Sequence, residues 1–286
     1  MLVTMKEILK IAEEKKIAVG AFNAPNLESL QAVIAAAEEL KLPVIIQFAQ
    51  CHEVYNPLAV IGPLMVDFAK KAEVPVCVHL DHGETLEYLE EALKMGFTSV
   101  MYDGSVLPYE KNVENTKKTV QMADRTGASV EAELGSMGKR ESGAGTVEED
   151  DSKIYTDPVQ AKAFVEETGI DALACSFGTT HGIYLTKPRL DFTVVENVRK
   201  ETGGIPVVMH GGSGVSKEGF HEAIRAGVRK INYFTYMDKA AGTAVAEWAA
   251  SFPEGSPAFY IDAVIVATRA MKENVKEAMK MFAFMD

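Results

Sequence analysis

Cysteine is scarce in this sequence: Cys51, Cys77 and Cys175 are the only three among 286 residues, and they lie far apart. They offer no framework of paired spacings. Two fall inside expected strands and none has an activating neighbour in sequence, so the expectation is buried structural thiols in a reducing cytoplasm. Positive charge is also short, with 29 Lys and Arg against 41 Asp and Glu and a net charge of −12. The charges are mixed along the chain rather than blocked into tails, which argues against nucleic acid and against an anionic membrane as partners. No apolar run is long enough to span a bilayer. The opening stretch Met1 to Lys16 carries Lys6, Glu13 and Glu14 among its apolar residues, unlike a signal peptide, so a cytoplasmic protein is expected. Missing too is any Ser/Gly/Pro-rich linker or shift in composition. With 47% hydrophobic residues the chain can bury a large core, and one domain over residues 1–286 is expected, within the range of α/β barrels.

What the chain does have is a recurring construction. Val76-Cys77-Val78-His79-Leu80-Asp81-His82-Gly83 begins as a run apolar on both faces, like a strand of a parallel sheet, and ends in a carboxylate, an imidazole and a glycine. Two further runs end alike, one in Phe177-Gly178-Thr179-Thr180-His181-Gly182 and one in Met209-His210-Gly211-Gly212. Three imidazoles meeting at one end of a parallel sheet, with a carboxylate beside them, would make an open zinc site with its general base. A net-negative chain needs such a local positive feature to hold an anionic substrate.

Along the chain, strand and helix alternate. A helix over Met5 to Lys15 precedes a strand at Ile17 to Phe22, a helix at Asn26 to Leu40 and a strand at Val44 to Phe48. A helix at Pro57 to Lys71 leads to the strand Val76 to Leu80, then to a helix at Leu86 to Met95 stopped by Gly96. The strand Ser99 to Met101 closes on Asp103-Gly104-Ser105. A helix at Tyr109 to Thr126 leads to the strand Ser129 to Leu134, which carries Glu131 and Glu133. Periodicity vanishes from Gly135 to Tyr155, a loop long enough to be functional. Asp157-Pro158 restarts a helix with a cap and an N1 proline. The sixth strand ends at Gly178, the seventh at His210, and the eighth covers Lys230 to Asn232; helices from Met237 and from Ala263 finish the chain.

Eight such units predict a (β/α)8 TIM barrel with an extra N-terminal helix and a C-terminal helical extension. Asn23, Asp81, His82, Asp103, Glu133, His181, His210 and Asn232 all fall at or just past the C-terminal ends of strands, where barrels carry their chemistry. An open doubly wound sheet would show a Gly-rich fingerprint after its first strand, and Phe22-Asn23-Ala24-Pro25-Asn26 is not one. His79 lies one layer deeper than Asp81 and reads as a packed or supporting residue. His52 and His221 read as peripheral. The ligand trio is therefore His82, His181 and His210. Gly211-Gly212-Ser213-Gly214, followed by the polar loop from Asn232 to Thr235, suits a phosphate held by backbone NH groups and hydroxyls after the last two strands.

The segments HLDHG (79–83), YDGS (102–105), EAELG (131–135), FGTTHG (177–182) and HGGSG (210–214), in this order across essentially the whole chain, resemble the zinc-dependent class II fructose-bisphosphate and tagatose-bisphosphate aldolases. The resemblance implies a catalytic Zn2+ on His82, His181 and His210, a second metal position near Glu133, and a monovalent cation. It implies that Asp81 transfers the proton, that Asn23 and Asn232 contact substrate, and that Gly182, Gly211, Ser213 and Thr235 hold the phosphate of the dihydroxyacetone phosphate half. A homo-oligomer, dimer or tetramer, is implied as well. The family's catalytic loop reads GG-x-EDG; here Gly138-Lys139-Arg140-Glu141-Ser142-Gly143 keeps Glu141 but loses the second Gly and the Asp. Ala258 stands where many relatives carry the Arg of D-P-R-x-Y, and Arg269 replaces a frequent Asp, offering a substitute charge for a distal phosphate.

The implied reaction is reversible retro-aldol cleavage of a phosphorylated ketose, fructose 1,6-bisphosphate or a relative, to dihydroxyacetone phosphate and an aldehyde, with Asp81 and Glu141 as proton-transferring groups. An aldolase for a ketose 1-phosphate or another non-standard aldehyde, and a metal-dependent phosphosugar epimerase or hydrolase, are the alternatives. A non-catalytic sugar-phosphate binder would have no reason to keep Asp81 and Glu141 together. A Schiff-base mechanism needs a desolvated Lys at a strand end, and Lys230 is expected at the start of the eighth strand, the opposite end.

Overall fold

The computed structural model of the chain describes residues 1–135, 155–180, 182 and 189–285. Eight parallel strands close into a barrel in sequence order: β1 (Val19–Asn23), β2 (Val44–Ala49), β3 (Val76–Gly83), β4 (Ser99–Tyr102), β5 (Ser129–Leu134), β6 (Ala172–Cys175), β7 (Val207–Met209) and β8 (Val228–Tyr233), with β8 paired to β1. The expected (β/α)8 barrel is thus the observed one.

Helices surround it: α1 (Met5–Lys15), α2 (Leu27–Leu40), α3 (Leu58–Lys71), α4 (Leu86–Met95), α5 (Tyr109–Asp124), α6 (Pro158–Thr168), α7 (Phe192–Glu201), α8 (Lys217–Ala226), α9 (Thr235–Ala250) and α10 (Tyr260–Phe282). Local chemistry sets many of their ends. Thr4 caps α1 in a reciprocal box with Glu7, and the Asp157 carboxylate accepts from the Gln160 N–H to start α6 ahead of Pro158. Gly96 ends α4 in a left-handed conformation.

Alternation along each strand sorts the side chains into two environments. Outward residues such as Phe22, Ile46, Val78 and Leu173 join the core beneath the helices. Inward residues Val19, Ala21, Ile45, Cys77, Ala172, Ala174 and Val208 form a second core with Met5, Ile8, Leu9 and Ala12 of α1, which closes the N-terminal end of the barrel. Toward the other end the interior turns polar, with Asn23, Gln47, His79, Asp81, Glu131, Glu133, Lys230 and Asn232 all buried. A barrel interior is filled rather than open, so these groups must satisfy one another.

Several boundaries differ from expectation. β3 runs through Asp81 and His82 to Gly83 instead of stopping at Leu80. β8 begins at Val228, which places Lys230 inside the barrel rather than at its far end. A polar residue in a strand reads as a boundary, but pairing of Lys230 with Val19 of β1 and Val208 of β7 continues the sheet across it. Cys51 is exposed in a 3-10 turn (Gln50–Val54), against the expectation that it is buried; Cys77 and Cys175 are buried as expected. Among the described residues no helix is long and apolar enough to cross a membrane.

Candidate active site

Asp81 stands at the centre of the polar end. Its Oδ2 accepts hydrogen bonds from Asn23 Nδ2 at 3.2 Å and Gln47 Nε2 at 3.1 Å, and its Oδ1 accepts from Asn232 Nδ2 at 3.1 Å. Gln47 also donates to Asn23 Oδ1 at 3.0 Å, so β1, β2, β3 and β8 are tied together at one level. Burial alone would raise the Asp81 pKa, yet the charges of His82 and Lys230 outweigh it and hold the carboxyl well below the usual range.

In a regular strand, neighbouring side chains point to opposite faces, so Asp81 and His82 should diverge. They do not, because β3 carries one extra residue against β4 between Leu80 and Gly83, and His82 adopts φ +45°. Such a bulge with a left-handed non-glycine residue is uncommon and re-aims a side chain. Here it brings ligand atoms of Asp81, His82 and His210 within 4.8 Å of one another. Asp103, at the end of β4, holds His82 Nδ1 at 2.8 Å and is itself fixed by the Ser105 hydroxyl at 2.7 Å. His82 Nε2 then faces His210 Nδ1 at 3.0 Å.

These atoms fit a metal ion. Two nitrogens roughly 2.0–2.1 Å from a tetrahedral zinc ion stand about 3.3 Å apart, close to the observed separation. Glu133 Oε2 lies 3.7 Å from His210 Nδ1, is buried and accepts no hydrogen bond. A buried carboxylate oxygen without a donor beside two imidazoles is an arrangement that a cation would complete. His82, Asp103 and Glu133 form a second group within 4.8 Å. Burial, reinforced by Asp103 and Glu131, pushes the Glu133 pKa up to about 8 despite the opposing pull of His82. Burial opposes the charge on His82, but Asp81 and Asp103 raise its pKa to about 10.

The loops after β7 and β8 also meet. Ser213 Oγ accepts from the Phe234 N–H at 3.2 Å, and Gly212 N–H donates to Asn232 O at 3.1 Å. Gly211 has φ +64°, and a Cβ there would sit 2.3 Å from Thr180 O of the β6 loop. Thr235 opens α9 beside this junction. Gly182 is described and has φ +91°. His181, Glu141, Lys139 and Arg140 lie outside the described residues.

Arg269 is exposed on α10, and no hydrogen bond or ion pair among the described residues links it to the Asp81 cluster. His52, expected to be peripheral, is buried. Its ring lies 4.9 Å from that of Phe234, and the charges of Asp81 and His82 act on it. Nothing in the spacing of β2 and β8 signals that meeting. Lys230 pairs with Glu131 at 2.8 Å, which removes it as a Schiff-base lysine more firmly than its expected position did. Gln47 escapes the sequence reading, Glu131 is named there without a role, and Lys230 is weighed only as a Schiff-base lysine; their one signal is polarity within otherwise apolar strands.

The sequence model of class-II fructose-bisphosphate aldolases matches residues 3–286. The chain belongs to that family. A fructose-bisphosphate aldolase of Staphylococcus aureus is 40% identical over 98% of this chain and 97% of its own length. Among solved structures, the YdjI aldolase of Escherichia coli K12 superposes with a TM-score of 0.85 at 37% identity, covering 99% of this chain and 97% of that one. The fructose-bisphosphate aldolase of Campylobacter jejuni gives 0.78 at 25% identity, covering 98% and 95%. Class-II aldolases are metal-dependent lyases, and among the described residues the cluster of His82, His210 and carboxylates offers groups suited to a metal.

Proposed function

We propose that this aldolase cleaves a phosphorylated ketose reversibly to dihydroxyacetone phosphate and an aldehyde, using Zn2+ held by His82, His210 and His181, with Glu133 at an alternative position. The observation that carries the reading is the buried Asp81 carboxylate beside the paired His82 and His210 nitrogens. Zinc bound there supplies Lewis acidity at the ketose carbonyl.

The residues do the rest. Asp81 takes the proton from the hydroxyl on the carbon that departs as aldehyde, as the carbon–carbon bond breaks toward the carbonyl. With three amide donors on it, this carboxylate is a weak base. Substrate hydroxyls that draw away the Asn23 and Asn232 amides would restore its basicity on binding. Gly182, Gly211, Ser213 and Thr235 are assigned to the phosphate, an assignment supported by the meeting of the β7 and β8 loops at the start of α9. Glu141 is assigned reprotonation of the dihydroxyacetone phosphate carbon. A second reading, cleavage of a ketose 1-phosphate or a differently shaped substrate, is favoured by the exposure of Arg269 and by Ala258 where many relatives carry an Arg.

A coupled assay for dihydroxyacetone phosphate across ketose mono- and bisphosphates tests the function. Wild type should release it, and Asp81→Ala should bind metal normally yet lose about 10²- to 10⁴-fold in rate. Release undiminished in Asp81→Ala, or absent from every ketose phosphate with wild type, would refute the assignment.

A further inference from the structure

Below the imidazole pair lies a charge pair that no proposed chemical step uses. Lys230 of β8 and Glu131 of β5 are fully buried, and Nζ stands 2.8 Å from Oε2. Burying two charges costs several kcal/mol per ion, and well-packed apolar residues in their place are often neutral or stabilising. Stability alone therefore gives little reason for the pair. Its geometry gives another. The second carboxylate oxygen, Oε1, is 2.8 Å from His210 Nε2, while His210 Nδ1 faces His82 Nε2. His79, whose Nδ1 is 2.8 Å from Ser99 Oγ, packs its Nε2 3.6 Å from Glu131 Oε2 and fills the remaining side.

We propose that the Lys230–Glu131 pair is a positioning device that fixes the tautomer and direction of His210, so that Nδ1 presents its lone pair to the metal. A carboxylate can only accept, so the imidazole proton must lie on Nε2, which leaves Nδ1 as the ligand atom. Lys230 occupies Oε2 and leaves Oε1 to His210. Asp103 does the mirror task for His82, holding Nδ1 so that Nε2 faces the site. The two ligands thus use opposite ring nitrogens, each set by its own carboxylate. Lys230 and Glu131 touch no substrate on this account; they act through His210.

The inference rests on the metal-binding reading of His82 and His210, and the experiment separates the two. Metal-stripped wild type, the double variant Glu131→Gln/Lys230→Met and the single variant Glu131→Asp are titrated with Zn2+ against a competing chelator, alongside melts without metal. The double variant removes both charges together, and its amide can turn either O or N toward His210. Glu131→Asp keeps the charge pair but shortens the reach to the ring. Each folded variant should bind Zn2+ about 10- to 100-fold more weakly than wild type. A Zn2+ Kd within twofold of wild type in either folded variant would overturn the device while leaving the metal site intact. Absence of Zn2+ binding by wild type would sink both readings. In a second readout, ¹⁵N-histidine spectra of metal-stripped wild type should show His210 protonated on Nε2, its signal identified by loss in a folded His210→Ala variant. Protonation on Nδ1 instead would overturn the proposal.

Discussion

A single backbone angle decides how one residue of this site can act. Had His82 kept an extended conformation, its ring would turn away from Asp81; at φ +45° it joins the same cluster. His79, three residues earlier, follows the regular pleat into the barrel, and burial, aided by Lys230, lowers its pKa to about 3. That group stays neutral in the folded chain while the unfolded chain takes up a proton below about pH 6.5. Its stabilising contribution is therefore present above pH 6.5 and lost as pH falls toward 3. Each such group tilts stability by up to about 1.4 kcal/mol per pH unit in that window. His52 and His210 are lowered in the same direction by burial, so the informative quantity is a difference. Urea melts of metal-stripped protein between pH 6 and 4.5 should lose about 2 kcal/mol more in wild type than in His79→Gln. Equal slopes would show that His79 titrates freely in the folded chain.

At the scale of elements, the site depends on loops that meet across strands rather than on any one of them. Gly211 after β7 touches Thr180 after β6, and Ser213 is tied to the backbone entering α9. Substituting Gly211 by Ala imposes both the positive φ and a steric clash with Thr180 O. Gly127→Ala, at φ +73° with open space around it, imposes the φ penalty alone. We expect Gly127→Ala to cost about 1 kcal/mol and Gly211→Ala up to about 3 kcal/mol in a denaturant melt. Only Gly211→Ala should also raise KM for the ketose phosphate. Matching KM values in the two variants would remove the β7 loop from phosphate binding. β3 shows the complementary lesson, since its inserted residue is invisible in the run Val76 to Gly83 and emerges only in its pairing with β4.

For the whole molecule, the barrel and the C-terminal helices contribute differently to specificity. α10 packs on α9, α2, α8 and β1 on the outside of the barrel, and Arg269 on it is exposed. We expect kcat/KM for fructose 1,6-bisphosphate and fructose 1-phosphate to lie within about tenfold, because a lost phosphate contact narrows that gap. Arg269→Ala should leave the ratio unchanged. A large bisphosphate preference abolished by that substitution would make Arg269 the distal anchor. The alternation of strand and helix, and the placement of Asn23, Asp81, His82, His210 and Asn232 at strand ends, could be determined from sequence alone. Both are written locally, in apolar periodicity and in the polar residue that interrupts it. Which of these residues meet was decided only by closure of the barrel. Glu131 and Lys230 are 99 positions apart, and His52 follows β2 while Phe234 follows β8, yet each pair is in contact. Local pattern fixes a side chain's face on its own strand; its partner across the interior is set by the tilt, stagger and closing register of all eight strands together.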